Sequence, residues 1–303
     1  MRPVLRSAIP VLTAALALAI TGCGGSKSSE RSPTSPAAAE RPVAGGSARV
    51  SAQGVSAKAS TPSLGAAGPF GVLGASTVTN TGATTVNGDL GIRPGLSCTG
   101  FPAPCIGGGP GAVSGVIHAG DATALSAQNR MTTVFNNLAG QACNTVLTGT
   151  DLGGLTLTPG VYCFASSAQL TGALTLDGGG SPNAAWVFQI GSTLTTASGS
   201  RVNFIGGGQA CGAFWQVGSS ATIGTSTNFA GNIVALASIT LNTNANSDGA
   251  LFARTGAVTL DTNTVNVVGS CGAAAPVPAL PHAAAWGLFA LLLACGVFVL
   301  GRR

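Results

Sequence analysis

The stretch Ala221–Leu260, ATIGTSTNFAGNIVALASITLNTNANSDGALFARTGAVTL, holds the pattern that decides the fold. Three tripeptides in it place Thr between apolar residues: Ala221-Thr222-Ile223, Ile239-Thr240-Leu241 and Val258-Thr259-Leu260. Leu174-Thr175-Leu176 repeats the pattern upstream, and Leu194-Thr195 is a partial copy. Side chains alternate along a strand, so the apolar neighbours point inward and the Thr outward. Successive threonines of the set 175, 195, 222, 240 and 259 are separated by 20, 27, 18 and 19 residues. Periods near 20 with one insertion predict the coils of a β-solenoid, with Gly- and Asn-rich corners. One face would then carry a column of Thr at the strand spacing of about 4.7–4.9 Å.

One segment breaks this pattern. Asp121–Leu138 carries Ala124, Ala127, Met131, Val134 and Leu138 at alternating three- and four-residue steps, and Phe135 widens that face. The spacing predicts an amphipathic helix packed along one solenoid face, with Asp121 as N-cap and Gly140 as stop. The expected fold class is therefore mostly β: an irregular, discontinuous β-solenoid with one long α-helix packed along it.

Composition narrows the function. The chain has 303 residues, 46 of them Gly, with 45% hydrophobic and only 7% charged residues. The formal charge of +5 resides in the ends. Residues 64–272 contain no Lys and no Glu, only Arg93, Arg130, Arg201 and Arg254 against six Asp at 89, 121, 151, 177, 248 and 261. That excludes a basic nucleic-acid surface there. His118 lacks an evident Ser or Asp partner arrangement, and the Gly120-Asp121 after it reads as a turn and cap. The Asp residues lie mostly near Gly and read as turn residues, with a calcium site as the alternative. Gly107-Gly108-Gly109-Pro110-Gly111 lacks the Lys-Ser/Thr of a phosphate loop. Trp186 and Trp215 read as core. No enzyme activity, cofactor or metal is expected.

The ends carry export signals. Met1–Gly22 has Arg2 and Arg6 before an apolar run too short to span a bilayer, and reads as a signal peptide. Ile20-Thr21-Gly22-Cys23 resembles a bacterial lipobox, which would make Cys23 the lipidated residue. Residues 23–63 read as a disordered tether. Residues 64–272 form the main domain and 273–282 a Pro/Ala linker. Ala283–Leu300 is an uncharged apolar run followed by Arg302-Arg303, a candidate membrane helix. With Val277-Pro278-Ala279-Leu280-Pro281 it resembles a C-terminal sorting tail. The domain is expected at the bacterial cell envelope or surface, held by the N-terminal lipid, the C-terminal helix or both, or released after processing. Cys98, Cys105, Cys143, Cys163, Cys211 and Cys271 form an even set suited to disulfides in an exported domain. Fifteen connectivities are open; Cys98–Cys105, Cys143–Cys163 and Cys211–Cys271 is the one we favour.

Several stretches closely resemble the microbial ice-binding protein family built on an irregular β-solenoid with a flanking helix. They include Ser76–Gly82 through Val86–Gly91, Ile117–Ala122, Leu152–Tyr162, Phe188–Leu194 and Phe214–Thr222, and the resemblance spans about residues 64–270. It implies that the first and last coils are adjacent. It also implies adsorption to ice through a flat face with Thr-(Ala/Gly)-x-(Thr/Asn) motifs. Carried onto this chain, those motifs mark Thr81, Thr84, Thr196, Thr225, Asn228, Thr243 and Asn246. Thr196-Ala197-Ser198-Gly199 lacks the final Thr/Asn, and Ser226 and Asn244 replace the small residue. The column Thr175, Thr195, Thr222, Thr240 and Thr259 is a second candidate face. The expected partner is the surface of ice, met by a monomeric domain that would inhibit ice growth or recrystallisation or attach the cell to ice. The alternative is a cell-surface adhesin or structural solenoid without ice affinity.

Overall fold

A computed structural model describes residues 58–269 and 271. The signal peptide, Cys23, most of the tether, the 273–282 linker and the 283–303 apolar tail lie outside the described residues. No helix among the described residues is long and apolar enough to cross a membrane.

Alternating apolar residues and tight turns wind the chain into a three-faced solenoid of parallel strands. Face A has nine strands, face B seven and face C eight. The winding is discontinuous. The chain enters mid-stack at Phe70–Gly74 and winds to one end, where Ile117–Ala119 is the last strand of face A. It then leaves as the helix Ala122–Ala139 (α1) and restarts at the opposite end with Thr145–Val146. From there it winds back until Leu251–Ala253 pairs with Phe70–Gly74. First and last coils are thus hydrogen-bonded neighbours, joined on face B by Val78↔Val258 and on face C by Val86↔Val265.

Two apolar cores result. Inside the prism, one side of each strand is buried. Tyr162, Phe188 and Trp215 occupy equivalent positions on neighbouring strands, and the rings of Phe188 and Trp215 stack at 3.9 Å. The indole nitrogens reach backbone oxygens, Trp186 to Leu157 and Trp215 to Ala230, so neither buried Trp leaves a donor unpaired. The second core lies outside the prism. Phe70, Leu73, Val187, Phe214, Val234 and Phe252 project outward from face A against Ala124, Ala127, Met131, Val134 and Leu138 of α1. Asp121 caps the helix by accepting from the Ala124 amide. Gln189 Nε2 donates to the carbonyls of Leu138 and Gln141 beyond the last turn. The Arg254 guanidinium lies 4.8 Å from the Phe135 ring centroid.

Three disulfides close the fold: Cys98–Cys105, Cys143–Cys163 and Cys211–Cys271. One boundary needs correction. Residues 58–63, assigned to the tether from composition, belong to the folded unit. Ala59 is buried, Ser60 and Gln141 exchange two hydrogen bonds, and the Arg130 guanidinium donates to the Ser63 carbonyl. Composition alone does not register such backbone docking.

Candidate functional site

Face A is covered by α1, which leaves faces B and C open. Face B is built from Ala168–Leu170, Leu194–Thr196, Ala221–Ile223, Ile239–Leu241, Val258–Leu260, Thr77–Asn80 and Ser97–Thr99, in that spatial order. The middle residue of each inner triplet points out. Strand pairing aligns Gln169, Thr195, Thr222, Thr240, Thr259, Thr79 and Thr99 in one column. Six consecutive threonines at a strand spacing of about 4.8 Å cover roughly 24 Å. Isolated bridges extend the column to Asp151 at one end and Ile106 at the other.

A second row lies two residues earlier in each coil: Ser167, Thr193, Ser220, Ser238, Ala257, Thr77 and Ser97. It is small and uncharged throughout. Ser167 and Thr193 share a hydroxyl–hydroxyl bond of 2.8 Å, and Ser238 Oγ accepts from the Ala257 amide. Beneath both rows the alternate positions Val78, Leu194, Ala221, Ile223, Ile239, Leu241, Val258 and Leu260 are buried. The hydroxyl array therefore rests on a packed core and is rigid at χ1.

The motif residues fall at the corner between faces B and C, and they do not form one surface. Thr81, Thr225 and Thr243 are exposed there. Thr84 and Thr196 are buried, at 1% and 4% exposure. Their hydroxyls accept from backbone amides that the corner would otherwise orphan, Thr84 from Asn263 and Thr196 from Gly224. Neither can meet an external surface. Asn228 and Asn246 lie on face C and touch each other. Thr175 also belongs to face C, between Thr156 and Asn203. It leaves the proposed column, because the apolar-Thr-apolar alternation is the same on either face.

Face C is rougher and carries charge. Its outward residues include Arg201, Asp177 and Asp248. Its amides are engaged within the face, Asn87 donating to the Asn266 amide oxygen and Asn266 to the Asp248 carboxylate. Thr79 and Thr99, absent from the sequence-based column, belong to the face B column. Their signal was present in the alternation of Thr77-Val78-Thr79 and Ser97-Cys98-Thr99, small polar residues on either side of one buried residue, but separated from the later coils by most of the chain.

Three carboxylates are held below their ordinary range. At Asp121 the Ala124 amide is the main cause and His118 the next. At Asp151 burial acts in the opposite direction, but the Gly153 amide and Thr171 outweigh it. At Asp261 the Thr243 hydroxyl dominates, followed by that of Thr262. His118 Nδ1 lies 2.7 Å from Asp121 Oδ2 and its Nε2 3.8 Å from Asp89 Oδ2. It thus braces the start of α1. No cluster of metal-ligating side chains occurs among the described residues.

A discontinuous parallel solenoid with one face shielded by a helix and another bearing a threonine ladder defines a class of protein: one that presents a rigid, repeating surface. The Ice-binding-like family model matches residues 72–266. An ice-binding protein of Nostoc sp. (strain HG1) is 56% identical over 209 residues, covering 69% of this chain and 75% of that protein. Ice-binding protein 1 of Shewanella frigidimarina (strain NCIMB 400) is 37% identical over 229 residues, covering 67% of this chain and 26% of that protein, whose length this chain therefore spans only in part. The crystal structure of an ice-binding protein from an Antarctic ascomycete, Antarctomyces psychrotrophicus, matches with a TM-score of 0.66 and 42% identity over 70% of this chain and 100% of that one. The chain belongs to the ice-binding-like family.

Proposed function

We propose that this protein adsorbs to ice through face B, and that adsorption slows ice growth or recrystallisation or fixes the protein's bearer to ice. The observation that carries this reading is the unbroken column Thr195, Thr222, Thr240, Thr259, Thr79 and Thr99, backed by an uncharged second row. Each Thr offers a methyl that restricts nearby water and a hydroxyl that both donates and accepts. The array is ordered before it meets ice, so little side-chain entropy is lost on docking. Lys and Glu, which are mobile and strongly hydrated, are absent from residues 64–272.

The reading extends to placement. The charged-then-apolar N-terminus ending in Cys23, the uncharged run Ala283–Leu300 and the three disulfides support an exported protein held at the cell envelope. The domain acts as a monomer that contacts ice and neither nucleic acid nor cofactor. It is a binding protein, and the face needs no catalytic group.

Single ice crystals grown in the purified, folded protein test the proposal. Faceted crystals and a gap between freezing and melting temperatures are expected. Round crystals, no gap and no inhibition of recrystallisation would overturn it and leave an adhesive or structural solenoid as the better account.

A further inference from the structure

We infer that Asp261 is a positioning residue for face B, fixing the hydroxyl hydrogens of Thr243 and Thr262 along the edge of the proposed ice-binding surface. The inference rests on the ice-binding reading and assigns a proton order to part of that surface.

Asp261 lies two residues beyond Thr259, where the column's edge meets the corner. It is the charged residue at the middle of that edge; Asp151 sits at the far end of the column. Its Oδ2 accepts from Thr243 Oγ1 at 2.5 Å and its Oδ1 from Thr262 Oγ1 at 3.1 Å. Thr81, from the first coil, also supports the ionised form. One carboxylate therefore ties together hydroxyls of two successive coils, beside the seam where the Thr81 amide of the first coil donates to the Leu260 carbonyl of the last.

The backbone is shaped around this contact. Ser226, Asn244 and Thr262 occupy the same corner in successive coils with φ of 55°, 58° and 57°. Left-handed backbone disfavours any β-branched residue, so Thr262 is the costliest of the three. It is also the one whose hydroxyl meets the carboxylate. Opposite it stands Gly82, where a Cβ would lie 2.0 Å from Thr262 Oγ1 and 2.8 Å from Asp261 Oδ1. The first coil leaves room for the pair.

The consequence follows from hydroxyl chemistry. A Thr hydroxyl has one hydrogen and two lone pairs. Once that hydrogen is committed to Asp261, the oxygen can only accept from water. Waters along this edge must each point a hydrogen at the protein, while those over Thr195, Thr222 and Thr240 can point either way. The groups that face Asp261 are Thr262 and Asn263 of its own coil, Thr243 and Asn244 of the preceding coil, and Thr81 and Gly82 of the first coil. None of these carries a charge. Titration of the carboxylate alone therefore changes the order at this edge.

The test compares the freezing–melting gap and the melting temperature of wild type, Asp261→Asn and Thr262→Gly. Asn keeps one acceptor oxygen and turns a donor toward the other hydroxyl. A several-fold smaller gap is expected in Asp261→Asn, with the remaining gap insensitive to acid. The wild-type gap should shrink as pH falls through the carboxylate's lowered range. Thr262→Gly should hold or raise the melting temperature, because Gly accepts the left-handed backbone, yet it should reduce the gap. Asp261→Asn also loses the stability its carboxylate contributes, so Thr262→Gly separates the roles: a purely structural Asp261 would leave the gap of folded Thr262→Gly at the wild-type value. Wild-type gaps in both variants would overturn this inference alone. A folded wild type with no gap would overturn the ice-binding reading and this inference with it.

Discussion

Thr196 is 4% exposed, and its hydroxyl holds the Gly224 amide and touches the Thr227 hydroxyl. Thr240 stands on face B above buried Ile239 and Leu241. The two side chains are identical and their roles are opposite. Thr196→Val would orphan a buried amide and is expected to cost about 1–3 kcal/mol of stability. The ice activity of each folded molecule should survive, because Thr196 cannot reach the surface; denaturation midpoints beside freezing–melting gaps check both parts. Acid should act on other residues. Asp121, Asp151 and Asp261 all have lowered pKa values. Their native contacts favour the charged form, so their contribution is present above the unfolded-state pKa and is lost as pH falls through the folded-state value. Urea midpoints should stay level from neutral pH to about pH 5 and drop below about pH 4. A midpoint that rises on acidification would contradict these assignments.

The helix and the strands differ in how openly the sequence announces them. The helix was legible because its buried positions 124, 127, 131, 134 and 138 follow a period that only a helix satisfies, and Asp121 and Gly140 close it. Met131→Ala removes a fully buried side chain between α1 and face A. A loss of about 2–5 kcal/mol is expected, read by thermal unfolding, with the hydroxyl rows of face B untouched. The strands were legible as strands, yet their assignment to faces was not. Period two says which side of a strand is buried and is silent on which of three faces the strand joins. Thr175 therefore reads like Thr195 but lies on face C. Two of the motif threonines are withdrawn from the surface for a related reason. Thr84 and Thr196 sit at a corner, where the backbone turns and needs polar partners, so their hydroxyls turn inward. Thr79 and Thr99 were missed because the seam brings the first coils beside the last, and spacing along the chain carries no trace of that adjacency.

At the scale of the whole molecule, three faces have three fates. Face A is sealed by α1, face C is charged and internally bonded through its amides, and face B is small, hydroxylated and in register over seven strands. The discontinuous winding makes that last face continuous, because the strand Thr77–Asn80 completes what Val258–Leu260 leaves unpaired. The central claim is that ice meets face B and not face C. It is tested most directly by measuring the freezing–melting gap of the folded protein with Thr222→Tyr or Thr240→Tyr on face B and Asn246→Tyr on face C, each with its melting temperature. At half-buried Thr222 and Thr240 stability should change by no more than about 0.5 kcal/mol. Asn246→Tyr also removes the acceptor of the Thr264 amide and should cost about 1–3 kcal/mol, so each gap is read where the variant is folded. The account predicts that either face B variant loses most of the gap while Asn246→Tyr keeps it. A gap that survives Tyr on face B and disappears with Tyr on face C would contradict it.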